Sequence, residues 1–195
     1  MSIISALARF QLGSKTFSSL AKDSTHQYPF SYLVNTQWGE VDSFQHVNNT
    51  VYFRYFESAR IEHMRKILDT LTKMESKFRQ QPDSPYFVTP SDYQTAQQFL
   101  QGKGVGPILA FTSCKYKFPL GYPDSLVVGV HIPAEKIEKD RFIQLYRIYS
   151  KTTAKVAAEG EAKIVCYDYA KKATAPIPKG ILQGITAIET SLNVE

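Results

Sequence analysis

What this sequence has little of narrows it first. Its 195 residues include two cysteines, Cys114 and Cys166, and they stand alone. That is neither the density of a disulfide scaffold nor the paired spacing of a zinc site, and it fits a reducing compartment. Four histidines, His26, His46, His63 and His131, show no ligand spacing, so no metal centre is expected. Gly-x-Ser-x-Gly is missing, which disfavours the nucleophile elbow of an α/β-hydrolase. Glycine-rich phosphate loops of the two common types are missing too. No apolar run nears the roughly 18 residues that a membrane span requires.

Acidic residues are absent from the N-terminus. Residues 1–22 carry Arg9, Lys15 and Lys22 and no acid, so the 20 basic and 18 acidic residues that remain nearly cancel. The formal net charge of +5 therefore describes the N-terminus more than a surface stripe, which is a poor footprint for nucleic acid. The same opening is Ser-rich, with Ile3, Leu7 and Phe10 at helical spacing. Those are the features of a mitochondrial transit peptide; the alternative is a disordered or docking arm on a cytoplasmic protein. Residues 1–27 are thus set aside as an extension, 28–180 as one domain of ordinary composition, and 181–195 as a tail in which 181–192 has a helical pattern.

What is present concentrates in 38–60, WGEVDSFQHVNNTVYFRYFESAR. Two carboxylates, Glu40 and Asp42, precede a turn, and Asn48 or Asn49 is suited to cap a helix. Beyond it Tyr52, Tyr55, Phe56, Ala59, His63, Ile67, Leu68 and Leu71 recur at spacings of three and four, one apolar stripe running to about residue 74. A carboxylate just before a helix N-terminus, whose free N–H groups favour developing negative charge, is a hydrolytic arrangement. By the residues alone Asp42 is equally a catalytic acid or a turn cap. Glu40 either tunes Asp42 by like-charge repulsion or is simply exposed.

The period then changes. Strands are expected at 32–38, 108–118, 125–132, 141–151 and 155–169, the last four joined by short turns as an antiparallel meander. One long apolar helix and one such sheet need each other's apolar faces, so the sheet must wrap the helix. The connection 76–105 is long for a compact domain. Within it Thr89 caps, Pro90 suits a first helical position and Gly102 ends a short helix, and the stretch reads either as a lid or as padding.

The run Glu40-Val41-Asp42-Ser43-Phe44-Gln45-His46-Val47-Asn48-Asn49-Thr50-Val51-Tyr52 resembles the opening motif of 4-hydroxybenzoyl-CoA thioesterase-like hotdog proteins, an acid-x-Asp-x-x-Gly-His-Val-Asn-Asn-x-x-Tyr pattern. Glu40 stands where that family usually has Asp, and Gln45 where it has Gly. Later stretches are similar in the right order: Tyr116-Lys117-Phe118-Pro119 with Asp124, Ala158-Glu159-Gly160-Glu161-Ala162, and Pro176-Ile177-Pro178. The likeness spans about 30–178. It implies an α+β hotdog fold, an antiparallel sheet wrapped around a long central helix. It also implies a homodimer or homotetramer with sites at the dimer interface, and hydrolysis of an acyl-CoA substrate to free acid and coenzyme A without metal or redox cofactor.

Carried over by position, Asp42 is the catalytic acid and the Asn49 backbone N–H the oxyanion donor, with His46, Asn48 and Tyr52 as substrate-binding residues. His46 has an equal reading as a hydrogen-bonded group of the interface, and Glu57 is the runner-up acid. The phosphates of coenzyme A call for cations near the mouth, for which Lys115, Lys117 and Arg147 are candidates. Glu40 and Gln45 favour a second reading, a catalytically silent hotdog that binds acyl-CoA or an acylated carrier, or a scaffold subunit. Hydratase or dehydratase chemistry on the same fold is disfavoured by the hydrolase-like motif.

Overall fold

The computed structural model describes residues 28–190. The expected transit peptide lies outside them. β1 (Phe30–Asn35) leads through a short 3-10 turn (Trp38–Glu40) and a loop into α1 (Val51–Phe78). Then follow α2 (Pro90–Leu100), β2 (Val105–Tyr116), β3 (Ser125–His131), β4 (Arg141–Ser150), β5 (Lys155–Asp168), the two-residue β6 (Ala173–Thr174) and α3 (Lys179–Glu189). The strands form one antiparallel sheet in the order β1-β3-β4-β5-β2, with β6 against the end of β5. The sheet curls around α1, the hotdog arrangement.

Helix α1 buries Val51, Tyr52, Tyr55, Phe56, Ala59, His63, Met64, Ile67, Thr70, Leu71 and Met74. Those positions make the 3-4 stripe of a helix with one face in the core. Opposite it lie the inward residues of β3 to β5, among them Val128, Phe142, Tyr146, Ile148, Ala162 and Ile164, all essentially inaccessible. Helix and sheet meet most closely at Phe56, whose ring stacks on Tyr146 (centroids 4.8 Å apart). A Cβ on Gly160 of β5 would sit 2.5 Å from that ring, so only glycine permits the contact.

The first strand is shorter than expected, because the chain turns at Thr36 to bond the Asp124 carbonyl and then coils into the 3-10 turn. Asp124 is buried. Its carboxylate accepts from the Ser150 hydroxyl and from the Thr152 N–H, which ties the β4–β5 turn to the start of β3. In the long connection Thr89 does cap α2, its hydroxyl accepting from the Asp92 N–H at 3.1 Å, and Gly102 follows with a φ of 65°. Helix α2 buries Ala96 and Phe99, so it is a packed part of the core and not a free lid. The boundary drawn at residue 180 falls inside α3. That helix is no tail, since Ile181 and Ile185 are fully buried and Gly184 lets it lie against Ile67.

One core residue is a histidine. The His63 ring is fully buried on α1, 5.1 Å from the Phe30 ring. Its Nδ1 faces the Gln144 amide nitrogen at 3.1 Å, and the Gln144 Oε1 accepts from the Tyr146 hydroxyl at 2.9 Å. With Nδ1 accepting, the neutral ring carries its proton on Nε2, which is buried and has no partner among the described residues. Burial pushes the imidazole down from 6.5 to about 4. A pKa lowered on folding means that the unfolded chain binds the extra proton. His63 therefore costs nothing above about pH 6.5, destabilises increasingly as pH falls toward 4, and levels off below. The full loss is about 3 kcal/mol. Urea unfolding at pH 7.5 and pH 4 should show it as an acid-dependent loss in the native protein that His63→Gln lacks. Equal losses in both proteins would mean that the ring is not buried neutral.

Candidate active site

The segment between β1 and α1 is built almost entirely from its own polar groups. Val41 and Val47 form an isolated antiparallel bridge, and the five residues between them make a tight turn. Asp42 closes it: its N–H donates to the His46 carbonyl at 2.9 Å, and its carbonyl accepts from the Gln45 N–H at 3.0 Å. Its carboxylate Oδ1 accepts from the Phe44 N–H at 2.9 Å and, more distantly, from the His46 N–H at 3.5 Å. Among the described residues Oδ2 has no hydrogen bond. Asp42 is thus a turn cap through one carboxylate oxygen, and the other is left without a hydrogen bond among the described residues.

Gln45 adopts a φ of 64°, the left-handed region. This is the position where the resembling motif has glycine, and the turn keeps the shape that glycine would give it. A residue with a Cβ is disfavoured there by roughly 1–2 kcal/mol, partly offset by the entropy that glycine loses on folding. Gln45→Gly is therefore expected to raise stability by up to about 1 kcal/mol, visible as a later unfolding midpoint in urea. A lower midpoint would mean that the Gln45 side chain makes a contact worth more than the strain.

The cap of α1 differs from expectation. Thr50 is the N-cap and makes no side-chain cap bond. Asn48, two residues earlier, accepts on its Oδ1 from the Thr50 N–H (3.0 Å) and the Thr50 hydroxyl (2.7 Å), while its carbonyl accepts from the Val51 N–H. The next N–H, that of Asn49, has no partner among the described residues. Asn49 stands one residue before that N-cap, beside the positive end of a 28-residue dipole.

An open cleft of about 420 Å³ lies over this turn and the first turn of α1. Asp42, Phe44, His46, Val47, Asn49 and Tyr52 line it from one side, and Tyr116, Lys117, Phe118 and Pro119 from the other. Of the residues singled out in the sequence, Asp42, His46, Asn49 and Tyr52 meet here. Asn48 does not line the cleft, because its amide is committed to Thr50. The Tyr52 hydroxyl accepts from the Leu120 N–H at 3.2 Å, which ties its ring to the far wall. Glu57 is exposed on α1, 3.6 Å from Arg60, and takes no part.

The far wall was legible only as a turn motif. Tyr116 closes it: the hydroxyl donates to the Asn49 carbonyl at 2.8 Å and the ring packs edge-on against Tyr52 at 5.0 Å. The Val47 N–H donates to the Leu120 carbonyl, which joins the two walls. Of the candidate cations, Lys117 pairs with Glu159 at 2.5 Å, and Arg147 pairs with the same carboxylate at 2.9 Å. The Lys117 ammonium, with Arg147, holds the Glu159 carboxyl below the ordinary range. Lys155 was not foreseen; its ammonium stands over the Phe118 ring at 4.2 Å. Among the described residues no group of three or more His, Cys, Asp and Glu side chains is arranged to hold a metal ion.

Comparison with known proteins bears on the family and the fold. The family model described as "Thioesterase-like superfamily" matches residues 36–185, which takes in the turn, the cleft and most of α3. A curated protein of Aquifex aeolicus (strain VF5), named "Putative esterase", is 28% identical over 126 residues, covering 65% of this chain and 77% of that one. Among solved structures, a thioesterase from Thermus thermophilus complexed with coenzyme A and Zn superposes with a TM-score of 0.59 at 21% identity, over 84% of this chain and 96% of that one. A 1,4-dihydroxy-2-naphthoyl-CoA thioesterase from Synechocystis gives 0.57 at 17% identity, over 80% and 95%.

Proposed function

The chain belongs to the thioesterase-like superfamily, and from that premise we propose that it is an acyl-CoA thioesterase, releasing a carboxylic acid and coenzyme A. The observation that carries the reading is the pairing, in one cleft, of the unbonded Asp42 oxygen with the open Asn49 N–H at the start of α1. In the proposed reaction Asp42 takes a proton from water as the water oxygen adds to the thioester carbonyl carbon. The oxyanion that forms is met by the Asn49 N–H and the helix end. Its collapse breaks the carbon–sulfur bond, and the leaving thiolate recovers a proton. Direct attack by the carboxylate would use the same oxygen. His46 and the Tyr52 ring border the substrate, and Lys155 with Lys115 offers positive charge for the phosphates of coenzyme A.

The silent-binder reading drew on Gln45 and Glu40. Gln45 keeps the left-handed turn, and the Glu40 carboxylate is bonded away from the cleft. Neither departure removes a group that the reaction needs, so the hydrolase is favoured. Free thiol measured over a panel of acyl-CoA chain lengths tests the choice; binding without turnover across the panel would return the silent reading.

We also propose a homodimer, the simplest unit of the expected dimer or tetramer. β2 pairs with β5 on one side only and exposes Leu109 and Phe111, and an uncovered strand edge of twelve residues is a template for another strand. Light scattering that gives a stable monomer at micromolar concentration would remove it. Mitochondrial import is the proposed location, checked by fusing residues 1–22 to a reporter, which must leave the cytosol. Among the described residues no helix is long and apolar enough to cross a membrane.

A further inference from the structure

Glu40 stands outside the cleft, yet its bonds cross the segment that builds it. Its Oε2 accepts from the Tyr55 hydroxyl at 2.6 Å and from the Gln37 N–H at 2.8 Å. Its carbonyl accepts from the Asn48 N–H at 2.9 Å. Tyr55 is buried on α1, one turn past the residues that open the helix. One residue therefore grips the 3-10 turn, the first helical turn and the Asn48 backbone, on the two sides of the loop that presents Asp42 and Asn49.

We infer that Glu40 is a positioning residue, which together with Tyr55 fixes the distance between the Asp42 carboxylate and the Asn49 N–H. The physical reason is the shape of the chain here. From Asp42 to Thr50 the backbone has no strand partner beyond the single Val41–Val47 bridge. The two chemical groups come from its opposite ends, so any slack in the loop separates them. A carboxylate that joins Tyr55 to the loop removes that slack, and a loop so held is preorganised for reaction. The length of the side chain matters. Glutamate spans the gap from the 3-10 turn to the Tyr55 hydroxyl, and aspartate is one methylene shorter.

The kinetic arm of the test rests on the hydrolase reading; the exchange arm does not. Tyr55→Phe keeps the ring in the core and removes the hydroxyl, and Glu40→Ala removes its acceptor. Each should lower kcat by about tenfold to a hundredfold with KM nearly unchanged, as small misplacements of reacting groups do. The double variant should be no slower than the slower single one. Glu40→Gln retains an acceptor oxygen for the Tyr55 hydroxyl and should recover most of the rate, and the acidic limb of its pH–rate profile should stay where it is. A limb displaced to lower pH would mean that the charge acts on Asp42 directly, and multiplicative losses in the double variant would mean that the pair does not act as a unit. Either overturns the inference. Hydrogen exchange of the 42–50 amides, measured in folded Tyr55→Phe, should rise while β3 to β5 stay protected. Unchanged exchange in that loop overturns the inference even in a protein with no turnover, whereas absent turnover with raised exchange sinks only the hydrolase reading.

Discussion

Asp42→Asn is expected to give a folded, ligand-binding and nearly inactive protein. The asparagine carbonyl can still accept from the Phe44 N–H, so the turn between Val41 and Val47 keeps its closing bond. What disappears is the negative charge of a carboxylate that lines the cleft. General base catalysis is worth about a hundredfold to ten-thousandfold, and the chemical step should slow by at least the lower figure. Substrate affinity should change little, because the cleft walls and the helix end remain. Single-turnover thiol release together with equilibrium binding of a non-hydrolysable acyl-CoA analogue separates the two effects. Wild-type turnover in the variant would remove Asp42 from the chemistry, and the exposed Glu57 is poorly placed to replace it. Loss of folding would instead make the turn cap the whole of its role.

The largest effect on stability is expected from Phe56→Ala. The ring is 1% exposed, stacks on Tyr146 and meets Phe53 edge-on at 6.3 Å. Gly160 gives it no side chain to collapse against, and the Ser113 carbonyl lies beside the same spot. The cavity left behind would stay open, and truncations of this kind cost about 3–5 kcal/mol. For a chain of this size that lowers the unfolding midpoint by roughly 10 °C. Phe56→Leu should recover more than half of the loss, since most of the volume returns. A shift of only a degree or two for Phe56→Ala would mean that α1 sinks toward β5, and that the helix is not held at its distance by this ring.

Much of the fold was legible because its signals are local and periodic. Spacings of three and four from Tyr52 to Leu71 describe α1, and the four strands of the meander begin and end within about three residues of where the sequence puts them. Thr89, Pro90 and Gly102 announced α2 through rules that concern only neighbouring residues. Even the turn cap by Asp42 was legible, as was its place just before a helix start.

The rest depended on partners far along the chain. Glu40 looks like a charge beside Asp42 because a single residue separates them. Its real partner is Tyr55, fifteen residues on, which the 3-10 turn brings within 2.6 Å. Asn48 has the composition of a substrate-binding amide, but its oxygen is taken by Thr50. The outer wall of the cleft comes from 116–119, almost seventy residues beyond Asn49, and no period in the sequence joins the two. Nothing local joins α3 to the domain, because its burial depends on a glycine fitting against Ile67, more than a hundred residues earlier. Sequence by itself determined which segments are helix or strand and which residue types stand at the turn, because propensity and periodicity are properties of neighbours. Which carboxylate oxygen stays free, which N–H is left open and what encloses the space between them were decided only by the packing of α1 against the sheet, because each is set by whether a distant group arrives to bond it.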